Sequence, residues 1–125
     1  MNKIDATEAK NIVNSNIGNY TAFFWYSTEC PVCEQFLEVE LPKVESEMNN
    51  WTMYKINFDD HVKENGVLFE PHSMPMGYFF KGSSRLFVGD GFAPSKEVIQ
   101  LLTELESPGF KTDKEIEQEQ LNQLD

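Results

Sequence analysis

Cys30-Pro31-Val32-Cys33 carries the clearest chemistry in this chain. These are the only two cysteines among 125 residues. They follow the apolar run Ala22-Phe23-Phe24-Trp25-Tyr26, which puts them at the junction of a strand and a helix. At i and i+3 both sulfurs lie on one helical turn, within bonding reach of each other. A pair so placed is suited to cycling between dithiol and disulfide. Cys30 is expected at the helix N-cap and Pro31 at the first helical position, where a missing N–H costs nothing. The N–H groups of Val32 and Cys33 would then face the Cys30 sulfur. With the positive helix end they favour its thiolate. A free thiol has a pKa of about 8.5, and thiols at such sites fall to roughly 3.5–7.5. Cys30 is therefore the expected nucleophile. Cys33, facing the core, is the expected resolving thiol.

Other readings of the pair have less behind them. A zinc site needs about four ligands, and beyond the cysteines only His61 and His72 remain. Singly, these histidines read as surface or loop residues. A structural staple is a third reading, but closing so short a loop adds little stability. Two inert cysteines rarely combine strand-to-helix placement with a proline between them.

The length suits one domain with a real core. Ten Phe, four Tyr and two Trp supply large apolar surfaces. The formal net charge of −11 argues against nucleic acid or an anionic membrane as partner. It keeps the chain soluble, or steers a basic partner toward it. No apolar run approaches the roughly 20 residues of a membrane span. Met1 to Asn16 lacks the basic start and apolar centre of a signal peptide, so the chain reads as cytoplasmic.

The elements that must position the cysteines follow from periodicity. Asp5 to about Asn16 reads as a helix, with Asp5 and Glu8 spaced as a capping box. Tyr20 to Tyr26 is continuously apolar, as a central strand buried on both faces would be. A helix is expected from about Pro31 to Asn49, its buried face formed by Cys33, Leu37, Leu41, Val44 and Met48. Pro42 should kink it. Trp51 to Phe58 reads as a second strand and Asp59 to Phe69 as a short helix weakened by Gly66. Gly77 to Lys81 and Ser84 to Val88 form a hairpin around Gly82-Ser83. A last helix runs from about Ser95 to Glu106, with Val98, Leu101, Leu102 and Leu105 as its stripe. Residues 1–107 form the domain. Residues 108–125 form an acidic tail, either a loosely docked helix or disordered, in which Thr112 and Glu115 are spaced as a capping box. Parallel strands joined by helices, then a hairpin, imply an α/β fold. Its mixed sheet of four to five strands is covered by helices on both faces.

Three segments together resemble the thioredoxin family, over roughly residues 4 to 106. The stretch Phe23 to Cys33 is similar to the family's second strand and Cys-x-x-Cys loop. Tyr54-Lys55-Ile56-Asn57-Phe58-Asp59 is similar to the third strand. Met74-Pro75 followed by Phe79-Phe80-Lys81-Gly82 resembles the cis-proline loop and the strand after it. Gly89 or Gly91 matches a glycine near the active site.

The resemblance implies a thiol–disulfide oxidoreductase acting on protein disulfides through Cys30 and Cys33. Its electrons come from a reductase or a low-molecular-weight thiol, and no metal or organic cofactor is implied. The protein is expected to be a monomer. A cis Met74-Pro75 bond is implied beside the disulfide, with Met74, Pro75 and Gly91 shaping the substrate groove. Pro71, Met74, Pro75 and Met76 together form an adaptable apolar surface, or Met76 simply packs. The sequence departs from the family at the residues that tune the pair. Phe24 stands where a buried acid is usual, which leaves Lys55 without that partner and leaves water or another acid to deprotonate Cys33. Glu29 replaces a tryptophan; it either raises the thiolate's pKa or faces solvent. Pro31-Val32 replaces Gly-Pro, and a proline first is similar to glutaredoxins and oxidising periplasmic relatives, which implies a more oxidising couple. A binding module on the same fold, with little turnover, is the alternative.

Overall fold

The computed structural model describes residues 1–15, 18–60, 73–108 and 113–123. In chain order these form β1 (Asn2–Lys3), α1 (Ala6–Ser15), β2 (Tyr20–Tyr26), α2 (Pro31–Gln35), a π-helical turn (Phe36–Glu40), α3 (Leu41–Glu47), β3 (Trp51–Asn57), a 3-10 turn (Phe58–Asp60), β4 (Met76–Lys81), β5 (Ser84–Asp90), α4 (Ser95–Leu105) and α5 (Asp113–Gln123). The sheet order is β1-β3-β2-β4-β5. β3 is parallel to β1 and β2; β4 is antiparallel to β2 and β5. This is the mixed α/β sheet expected from the sequence. β1 was not expected, because two exposed polar residues carry no pattern. Among the described residues no helix is long and apolar enough to cross a membrane.

β2 is the central strand, and Thr21 through Trp25 are all buried. Successive side chains point to opposite faces of a strand. Phe23 and Trp25 join Ala6, Ala9 and Val13 of α1 in one core layer. Ala22 and Phe24 join Phe36, Leu41 and Val44, and Val98, Leu102 and Leu105 of α4, in the other. α1 starts at a reciprocal capping box: Glu8 N–H donates to Asp5 Oδ1 at 2.7 Å, and Asp5 N–H to Glu8 Oε1 at 3.4 Å.

The helix after the cysteines differs from the sequence expectation. Pro42 has no N–H to offer the carbonyl four residues back. The chain absorbs this with a π turn immediately ahead, where Leu41 N–H bonds to Phe36 O, five residues back. Pro42 then sits in the first turn of α3, where its missing N–H is tolerated. The wider turn also changes the buried face. Phe36 is buried between Cys33 and Leu41, while Leu37 and Met48 are half-buried. Glu40, at the end of the π turn, supplies the cap that α4 lacks. Pro94 has no side-chain donor or acceptor to give, and Ser95 N–H donates to Glu40 Oε1 at 2.8 Å.

The hairpin turns at Gly82-Ser83, as expected. Gly82 has φ of 60° at the first central position, the requirement of a type II′ turn. Of the expected helix Asp59 to Phe69, the described part is the 3-10 turn; the rest lies outside the described residues, as do His61, Pro71, His72 and Thr112. In the tail, α5 is helical and its side chains from Glu117 to Asn122 are exposed.

Gly77 is opposite Phe24 in the β2–β4 register. A Cβ at Gly77 would meet two ring atoms of Phe79 at 3.0 Å and Phe24 Cε1 at 3.2 Å. Both rings are buried and must leave their packed positions to admit it. Gly77→Val should therefore destabilise the protein by about 1–3 kcal/mol, as overpacked cores do. Urea unfolding checks this, and an unchanged midpoint would contradict the packing argument.

Candidate active site

The cysteine loop leaves the carboxyl end of β2, beside the carboxyl end of parallel β3. Open sheets commonly present their sites at such ends. β3 and the turn after it hold that loop. Asp59 Oδ2 accepts the Thr28 N–H at 2.6 Å, Asn57 Nδ2 donates to Thr28 Oγ1 at 3.3 Å, and Asn57 Oδ1 accepts the Asp59 N–H at 2.9 Å. The next residue, Glu29, has φ of 57°, the only positive φ among the described non-glycine residues. Such a conformation costs energy for a residue of this size, and the clamp on Thr28 holds the chain there.

Cys30 is the N-cap of α2, with extended backbone, and Pro31 follows at the first helical position. The Cys30 carbonyl accepts the Glu34 N–H at 3.0 Å. Of the two N–H groups expected at its sulfur, that of Cys33 is there, donating to Cys30 Sγ at 3.2 Å. The two cysteines form a disulfide, with Cα atoms 5.2 Å apart. Cys33 is 1% exposed, Cys30 is half-buried, and Val32 beside them is 50% exposed.

The Met74-Pro75 peptide bond is cis. Pro75 is fully buried and Met74 half-buried. β4 starts at Met76, opposite Trp25 near the end of β2, so Pro75 comes to the same end of the sheet as the cysteines. Two bonds tie this loop to the end of β5. Gly91 N–H donates to the Pro75 carbonyl at 2.8 Å, and Ser73 Oγ to Asp90 Oδ1 at 3.2 Å.

No family profile and no curated protein matches the sequence. Solved structures do match in shape. Thioredoxin f2 of Chlamydomonas reinhardtii superposes with a TM-score of 0.74 at 18% identity, over 86% of this chain and 98% of that one. The thioredoxin of Fasciola hepatica gives 0.68 at 16%, over 85% and 100%. Thioredoxin O2 of Arabidopsis thaliana gives 0.65 at 15%, over 85% and 94%. The chain has the thioredoxin fold.

Within that fold the residues that differ from the family pattern have defined places. Phe24 is buried, with its ring edge-on to Phe36 and Phe79 at centroid distances of 5.7 Å. Lys55 is paired with Phe24 across β2–β3 and is half-buried. It lines a cavity of about 300 Å³ behind the disulfide, together with Cys33, Glu29, Glu34 and Glu38. Lys55 thus shares a cavity with buried Cys33. Glu29 is exposed at the rim of that cavity.

The sequence reading did not single out Asn57, Asp59 or Phe36. Asn57 and Asp59 carried a signal, polar residues just past a strand that ends beside the cysteine loop. Phe36 carried none, because its burial depends on the π turn. By sequence either Gly89 or Gly91 matches a glycine near the active site, and Gly91 is the one expected at the groove. Gly91 is the one bonded to Pro75, and Gly89 faces Gly77 across β4–β5.

Gly91 has φ of 77°, and nothing lies within 4 Å of where its Cβ would stand. Backbone conformation, not space, therefore calls for glycine here. Gly91→Ala should cost about 1–2 kcal/mol, the penalty of a left-handed conformation for an L-residue. An unfolding midpoint equal to that of the parent would refute this.

Proposed function

We propose that this protein is a thiol–disulfide oxidoreductase acting on protein disulfides. The observation that carries the reading is a Cys-Pro-Val-Cys disulfide at a helix N-terminus, at the same end of a thioredoxin-fold sheet as a cis-proline loop.

In the reduced protein the Cys33 N–H and the helix end stabilise a thiolate on Cys30. This thiolate attacks one sulfur of a client disulfide. A Cys30–client mixed disulfide forms, and the other client sulfur leaves as a thiolate. Cys33 then gives up its proton and attacks Cys30 Sγ. The Cys30–Cys33 bond forms, the mixed disulfide breaks, and the second client thiolate leaves. Two electrons pass from the cysteine pair to the client. A reductase or a low-molecular-weight thiol returns them.

Met74 and Pro75 offer an extended client its backbone contacts, and Gly91 holds that loop in place. Phe24 cannot take the Cys33 proton, so the proton leaves into the cavity that Cys33 shares with Lys55 and Glu38. Pro31 and Val32 set the strain and solvation of the pair, and with Glu29 they tune its potential.

Cys30→Ser should abolish disulfide reduction, and Cys33→Ser should accumulate a mixed disulfide with the client, seen by mass spectrometry. If the double serine variant reduces disulfides as fast as the parent, the proposal is wrong. Equilibration with glutathione gives the direction. A potential near roughly −270 mV means a reductant, and one above about −200 mV an oxidant or isomerase.

A further inference from the structure

The sheet face under α4 carries a second cavity, separate from the one behind Cys33. Gly77 and Gly89 are directly opposite each other on β4 and β5. Residues two apart on a strand share a face, so Gly77 lies on the side of Phe79 and Gly89 on the side of Phe87. Those two rings meet on the α4 side, 6.2 Å apart. Neither glycine has a side chain to fill the space between the sheet and α4. The result is an apolar pocket of about 280 Å³, with Phe24, Phe36 and Phe79 on one side and Val98 and Leu101 of α4 on the other.

Three observations say what this pocket takes. Its volume is just below the roughly 300–1,000 Å³ of small-molecule sites, so it suits one large apolar side chain better than an organic cofactor. Its charged lining is entirely anionic, Asp90 and Glu97, on a chain of net charge −11. An occupant that carries positive charge beside its apolar group is complementary to it. Gly91 also lines the pocket, and its N–H is bonded to the Pro75 carbonyl. The pocket therefore adjoins the loop that, in the function proposed above, holds the client. Phe87, at the pocket wall, and Phe92, edge-on to Phe36 at 5.8 Å, are exposed at 40% and 42%. They extend the apolar surface outward from the pocket.

We propose that this pocket is a specificity subsite for the client polypeptide. It receives one aromatic or branched aliphatic side chain from a segment that also carries Lys or Arg. The cysteine of the same segment meets Cys30. The role in turnover rests on the oxidoreductase reading; the preference for a basic, apolar segment rests on the pocket alone.

The test uses the intact protein and a series of disulfide-bearing peptides. Each carries one Phe or Ser at successive distances from its cysteine, flanked by Lys or by Glu. At one spacing the Phe/Lys peptide should show a kcat/KM about tenfold above the Ser/Glu peptide. Gly89→Val fills the pocket. A Cβ there lies 3.3 Å from the exposed Phe87 ring, which is free to turn aside, and at an ordinary contact distance of 3.9 Å from Phe79. This variant should lose the Phe preference while reducing glutathione disulfide at the parent rate. Ala93→Phe fills the same pocket from the loop before α4 and should do likewise, even where Gly89→Val fails to fold. Glu97→Lys should lose the Lys preference and keep that for Phe. Equal kcat/KM for the Phe and Ser peptides at every spacing overturns the subsite, as does a Phe preference that survives pocket filling. A separate measurement isolates the pocket from the chemistry. A cysteine-free Phe/Lys peptide should shift the amide resonances of Gly89, Gly91 and Val98. If those shifts occur and no disulfide is reduced, the oxidoreductase reading falls and the binding pocket stands. If they do not occur in a protein that reduces disulfides, the pocket falls alone.

Discussion

Burial of β2 on both faces is the constraint on which the rest of this molecule depends. A strand packed by helices on either side is apolar along nearly its whole length, and of the buried residues Thr21 to Trp25 all but Thr21 are apolar. The odd and even residues seed two separate core layers, one under α1 and one under the π turn, α3 and α4. A strand fixed that firmly has a fixed end. The chain leaves it through the Thr28 clamp and enters the helix N-terminus at Cys30. The cysteine pair is placed by the core beneath it, and its own bonds only refine that placement.

The same layer explains how Phe24 is accommodated. Phe24 adds an aromatic ring where the family's acid would add a charge. That ring needs room, and part of the room comes from Gly77, its partner on β4. A buried charge at position 24 would require a partner to offset its desolvation, whereas Phe24 requires only contact with Phe36 and Phe79. In the function proposed above, the Cys33 proton leaves toward Lys55 and the carboxylates that share its cavity. The missing side chains of Gly77 and Gly89 leave the pocket beneath α4.

The π turn is the second adjustment. Pro42 would break an ordinary helix, and the five-residue bond from Leu41 to Phe36 accommodates it. That turn carries Phe36 into the core and puts Glu40 over the start of α4. The helix bearing the cysteines is thus anchored to the helix that flanks the second pocket. Cys33, Phe36 and Glu40 lie within eight residues of sequence and couple the pair, the core and α4.

Local patterns settled much of this in advance. The unbroken apolar run of β2, the stripe of α4, the Gly82-Ser83 turn and the capping box of α1 are each written in contiguous residues, because each answers to a local rule of period, φ or hydrogen bonding. The cysteine spacing fixed a disulfide on one helical turn for the same reason. What the sequence did not show depends on partners distant in the chain. β1 exists because β3 presents it an edge. Phe36 is buried only once the π turn has chosen its register. Asp59 matters because β3 ends beside the cysteine loop. Gly91, not Gly89, holds Pro75 because the β4–β5 pairing sets which amide faces that carbonyl. The sequence alone determined which residues are spaced for thiol–disulfide chemistry, since residue type and spacing set what two thiols can do. The tertiary structure decided which groups surround them, since contacts between distant segments exist only after the sheet has fixed its strand order and register.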